Sequence, residues 1–182
     1  MKPKSTEQQL LQRLQEDDRK AQRELYDRFA PLAMAQAMRY VADRQTACDV
    51  LQESFVKILT AVSHFQYRGE GSLRGWVLSI VTHEAVDWLR QNRRMLFTDA
   101  VPDNLPDDAP DVDGMPMEVL QHMIEQLPDG YRTVFCLFVF DRKSHKEIAQ
   151  LLGIKENSSA SQFLRAKRLL AKMINNYQRQ QQ

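Results

Sequence analysis

Positions 83–87 read HEAVD, a histidine followed at once by a glutamate and, at the fourth following position, by an aspartate. A helical zinc hydrolase needs a second imidazole at that fourth position, so that two nitrogens converge on the metal while the glutamate activates a water. Asp87 stands there instead, and His64, His122 and His145 show no ligand spacing. Glu118 and His122 are four apart, where a di-iron carboxylate motif needs three. Cys48 and Cys136 lie far apart with no Cys-x-x-Cys or Cys/His cluster, so each is expected to be a buried thiol. No phosphate-binding glycine loop or nucleophile elbow occurs. The residues therefore predict no metal, no cofactor and no catalysis.

Another stretch has the reach for nucleic-acid bases. In SHKEIAQLLGIKENSSASQFLRAKRLL, residues 144–170, Ser144 and Glu147 have the spacing of a capping box, in which each side chain accepts from the other's backbone amide. A helix starting there turns Ile148, small Ala149 and Leu152 inward, and Gly153 can take the positive φ that ends it. Ile154 fills the corner, and Asn157 is a candidate cap for a second helix with Ser159, Phe163, Ala166, Leu170 and Met173 inward. Its outer stripe is then Ser158, Ser161, Arg165, Arg168 and Lys172. Two short capped helices around a glycine form a helix-turn-helix, whose second helix brings its N-terminal residues to base edges in the major groove. Small hydroxyls permit close approach. Gln162 and Arg165 are long enough for bidentate contacts to adenine and guanine, while Lys167, Arg168 and Lys172 can neutralise phosphates. A solvated basic helix on an ordinary bundle would show the same residues.

Those side chains need a scaffold, and the spacing of apolar residues predicts an all-α one. A helix is expected from about Ser5 to Glu16, and another from Arg19 towards Ala42, interrupted or bent near Pro31. A third should start near Thr46 as its cap and turn Val50, Leu51, Phe55, Ile58 and Leu59 inward. After the loop SHFQYRGEG, a long helix is expected from Ser72 to about Met95, burying Leu73, Trp76, Val77, Ile80, Val81 and Trp88. The strand-forming run TVFCLFVF has no partner strand, and LPDGYR before it supplies a loop and a helix start, so it too is expected to be helical.

Charge divides the chain into three. Residues 1–97 carry net +3 and residues 119–182 net +5, whereas residues 98–118 hold seven acidic side chains, no basic ones and four prolines. Such a run cannot bury apolar surface or continue a helix, which makes it an acidic Pro-rich linker between two small helical domains. The longest apolar run, VFCLFVF at 134–140, is too short to span a bilayer, and MKPKSTEQQ has no apolar signal core. A cytoplasmic protein without membrane insertion is expected.

Two segments carry a family resemblance. DVLQESFVKIL at 49–59 with FQYRGEGSLRGWVLSIVTHEAVDWLRQNRR at 65–94 resembles the second region of bacterial extracytoplasmic-function sigma factors. Residues 127–170, LPDGYRTVF to KRLL, resemble their fourth region. The resemblance implies a subunit that binds core RNA polymerase through its β′ and β subunits, selects promoter DNA and helps melt it. It implies that Asp49, Gln52 and Glu53 dock on the β′ coiled coil. Phe65, Tyr67 and Arg68 would hold a base flipped from the minus-10 element, by stacking and phosphate pairing. His83, Asp87, Arg90 and Arg94, at helical offsets of four, three and four, would face the upstream part of that element. His83 stands where the family more often has asparagine. The minus-35 element would be read by Ser158, Ser161, Gln162, Arg165, Lys167, Arg168 and Lys172. Ala160 replaces a usual lysine and so removes a phosphate contact. An anti-sigma factor is a further expected partner, and the free protein is expected to be a monomer. The rival class is a stand-alone helix-turn-helix regulator, which would dimerise on a palindromic site.

Overall fold

The computed structural model describes residues 6–41, 43–92 and 114–181, so residues 98–113 of the expected linker lie outside the described residues, while its last two, Met117 and Glu118, are helical instead. The chain divides into two compact units, Met1–Trp88 and Leu89–Gln182, and the regular elements among the described residues are helices.

The first unit begins with α1, Glu7–Gln15, started by a capping box in which the Thr6 hydroxyl accepts from the Gln9 amide and the Gln9 side chain accepts from the Thr6 amide. Its offsets put Leu10, Leu11 and Leu14 in the core. Helix α2, Arg19–Tyr40, is capped by Asp18 and runs on through Pro31, without the interruption expected there as the alternative to a bend. Pro31 lies on the exposed face, so the carbonyl it leaves without a donor, that of Asp27, also faces water. Helix α3, Arg44–Ala61, is capped by Asp43 rather than Thr46. Asp43 Oδ2 accepts from both the amide and the hydroxyl of Thr46, at 2.7 and 2.8 Å, so Thr46 is the donor in the arrangement. Val50, Leu51, Phe55 and Ile58 are buried as expected, but Leu59 is 39% exposed, because it lies about 100° around the helix from fully buried Ile58.

A 3-10 turn, Val62–His64, leads through the loop to α4, Ser72–Asn92. Its buried stripe is Leu73, Val77, Val81, Ala85, Val86 and Leu89; Trp76, Ile80 and Trp88 are only half-buried. The amide of buried Gln36 on α2 donates to the Thr82 hydroxyl at 2.8 Å, giving two polar groups in the core a partner. Cys48 is also half-buried rather than buried; Cys136 is buried.

The second unit consists of α5, Met117–Glu125; α6, Asp129–Val139; α7, His145–Leu152; and α8, Glu156–Gln180. TVFCLFVF is thus helical, with Val134, Cys136 and Leu137 fully buried. Helix α8 is the spine on which α5, α6 and α7 pack. Met123, Leu127, Tyr131, Ala166, Leu170 and Ile174 form its principal apolar cluster, each large side chain there contributing about 1.5–3 kcal/mol on burial.

Candidate nucleic-acid interface

The helix-turn-helix forms as its spacing requires. The Ser144 hydroxyl accepts from the Glu147 amide, and the Glu147 carboxylate accepts from the Ser144 amide at 2.8 Å and its hydroxyl at 2.6 Å. These bonds, the hydroxyl's first, hold the Glu147 carboxyl below its ordinary range. Gly153 closes α7 with φ of +67°, where a side chain would be strained. The Ile154 amide then returns to the Ala149 carbonyl at 3.0 Å. Across the turn, His145 stacks on Phe138 at 4.6 Å and its Nδ1 is 3.0 Å from the hydroxyl of buried Ser159 on α8.

Two expectations for α8 are corrected. Asn157 is not its cap: the cap position is Lys155, which makes no side-chain capping bond, and Asn157 lies inside the first turn. Gln162 does not reach outward but is 4% exposed. At three residues past Ser159 and four before Ala166 it shares their buried stripe, and that periodicity, legible in the sequence, was the signal for it. Phe163 and Met173, expected inside, are half-buried. Ser161, Lys167 and Lys172 are exposed, and Ser158, Arg165 and Arg168 are half-exposed, so six of the seven candidate residues present polar atoms to solvent. Lys167 Nζ lies 6.0 Å from the centre of the Phe163 ring.

In the first unit, Asp49, Gln52 and Glu53 are all exposed on α3. The same face continues to Val56, 62% exposed, which the polar pattern of the stretch concealed. Lys57, one residue on, bonds Glu84 of α4, and that hydrogen bond chiefly holds its ammonium above the ordinary range. His83 and Arg90 are exposed on α4 and Asp87 is half-exposed; Arg94 lies outside the described residues.

The 65–71 loop is folded tightly. Phe65 packs on Trp76 with ring centres 4.9 Å apart. The Tyr67 hydroxyl donates to Glu70 at 3.3 Å; partial burial pushes this phenol up, with the Glu70 charge adding to it. Ser72 joins the loop's middle to α4, its hydroxyl donating to the Gly69 carbonyl at 2.6 Å and accepting from the Arg68 amide at 3.2 Å. Gly69 and Gly71 have φ of +118° and +87°. Phe65 and Tyr67 are half-buried and Arg68 is exposed, leaving an aromatic edge and a guanidinium at the surface.

Two helical units in this order, the second ending in a helix-turn-helix, match known protein regions. Residues 25–95 match Sigma-70 region 2 and residues 117–170 match Sigma-70 region 4. The class is therefore that of sigma-70-type factors. A Haemophilus influenzae protein, ECF RNA polymerase sigma-E factor, is 28% identical over 183 residues, covering 93% of this chain and 95% of its own. The Pseudomonas aeruginosa RNA polymerase sigma-H factor is 28% identical over 182 residues, covering 92% and 93%. The Bartonella quintana sigma factor RpoE, solved with the anti-sigma factor NepR, shares the fold at a TM-score of 0.52 and 17% identity, over 84% of this chain and 96% of that one. The chain belongs to the sigma-70 family, in its extracytoplasmic-function group.

Proposed function

We propose that the protein binds core RNA polymerase, directs it to promoters and holds their DNA melted, with no covalent chemistry of its own. The observation that carries this reading is the coexistence, in family order, of an exposed α3 face and a capped helix-turn-helix in separate units.

Asp49, Gln52 and Glu53 dock on the β′ subunit, with Val56 as the apolar centre of the contact. Charged groups at a rim steer encounter, while a desolvated apolar anchor supplies affinity. A contact to the β subunit accompanies this docking. Phe65, Tyr67 and Arg68 receive one base flipped from the minus-10 element, and the neutral Tyr67 hydroxyl can approach a phosphate without repulsion. His83, Asp87, Arg90 and Arg94 contact the upstream part of that element. Ser158, Ser161, Arg165, Lys167, Arg168 and Lys172 contact the minus-35 duplex, with Gln162 supporting the helix from within. The protein works in the cytoplasm as a monomer until it meets polymerase or an anti-sigma factor. No helix among the described residues is long and apolar enough to cross a membrane.

Run-off transcription with bare core polymerase and genomic DNA tests the reading: discrete new start sites are expected. A protein that instead dimerises, binds a palindromic duplex alone and ignores core polymerase is the stand-alone regulator. At residue level, Arg165→Ala should relax preference at one minus-35 base pair by about 1–3 kcal/mol, and Lys172→Ala should weaken all sequences alike and lower the salt slope by about 1. Equal losses on every promoter for both variants refute the assignment.

A further inference from the structure

We propose that Glu7 is a positioning residue for base capture, its carboxylate holding the 65–71 loop and the start of α4 in the geometry that receives an unpaired promoter base. The inference rests on the minus-10 reading above and goes beyond it, because Glu7 lies outside the residues that match Sigma-70 region 2.

Glu7 is 2% exposed, an unusual place for a glutamate unless it is partnered. Its Oε2 accepts from the Gly71 amide at 2.9 Å and the Leu73 amide at 3.2 Å. The Leu73 amide belongs to the first turn of α4 and the Gly71 amide lies just before it, where amides have no acceptor within the helix and a negative charge is favoured. At the other end of α1, the Gln15 side chain donates to the Phe65 carbonyl at 3.2 Å. One short helix thus holds the loop at its entry, Phe65, and at its exit, Gly71. Arg28 of α2 adds a third tie, 3.8 Å from Glu70.

Two glycines at positive φ leave the loop many alternative conformations unless such ties select one. A flipped base is short-lived and costs stacking and pairing, so a pocket populated for only a fraction of the time loses apparent affinity by that fraction. Distant ties that keep the loop formed therefore act on base capture, although Glu7 itself need not touch DNA.

The test uses full-length protein with core polymerase on fork-junction promoters whose non-template minus-10 strand is exposed, intact or carrying one abasic site moved along the element. With wild type, one abasic position should weaken binding, marking the captured base. Glu7→Ala is expected to weaken binding to the intact fork about tenfold and to bind the fork abasic at that position as wild type does. Glu7→Gln keeps an acceptor oxygen and should fall between; it carries the same comparison if Glu7→Ala does not fold. Equal weakening on intact and abasic forks overturns the proposal, since Glu7 then serves only general stability. A wild-type protein indifferent to every abasic position overturns the base-capture reading, and this proposal with it.

Discussion

The turn between α7 and α8 and the loop between α3 and α4 both leave polar groups at the surface, but they are held by different means. The turn is closed by neighbours in sequence: Ser144 with Glu147 three residues on, and Ile154 with Ala149 across Gly153. The loop has local ties through Ser72 and Tyr67 but is also closed from afar, by Glu7, Gln15 and Arg28, with sequence separations of 64 and 66 residues for the Glu7 bonds and 50 for that of Gln15. A locally closed element forms with little loop entropy to overcome and can keep its shape when its surroundings loosen. A loop that depends on distant ties is only as ordered as the domain around it, which makes it fragile.

The largest expected effect breaks the distant arm. Glu7→Ala leaves the Gly71 and Leu73 amides without their acceptor and should cost the first unit about 2–3 kcal/mol, read as a lower midpoint of denaturant unfolding. Next comes the local arm: Gly153→Val puts a β-branched residue at φ of +67° and should cost about 1–2 kcal/mol in the second unit, with the first unit's midpoint unchanged. Ser144→Ala removes the cap and should cost about 1 kcal/mol. Glu147 is held below its ordinary range by Ser144, so its share of stability is present in full above that range and is lost as pH falls through the lower folded value. An acid titration of the second unit should therefore show a step below about pH 4.5 that Ser144→Ala flattens. The smallest effect sharpens the distant arm: exposed Gln15→Ala should cost no more than about 0.5 kcal/mol. A Glu7→Ala loss as small as that for Gln15→Ala would show that the loop is ordered by its own glycine and serine geometry instead.

Both helix-turn-helix boundaries of α7 were legible because a capping box and a left-handed glycine act within a few residues. The helical state of TVFCLFVF was legible because a lone strand would leave its edges unpaired. Caps were less so: Asp43 displaced Thr46, and Lys155 stands where Asn157 was expected, since several polar residues near a helix start compete and backbone direction decides among them. Leu59 was expected inside and Val56 was not singled out, because apolar spacing predicts a core and carries no sign of which apolar side chains stay exposed.

Composition, periodicity and short-range capping by themselves determined that this chain is helical, that an acidic segment separates two basic ones, and where α7 ends and the chain turns into α8. These are properties of residues within a turn or two of one another. Only the tertiary structure decided that Glu7 reaches the start of α4 and that Gln15 reaches the Phe65 carbonyl. Both follow from the packing of α1 against residues 50 to 64 positions away in the chain, and neither contact is written in the residues that flank it.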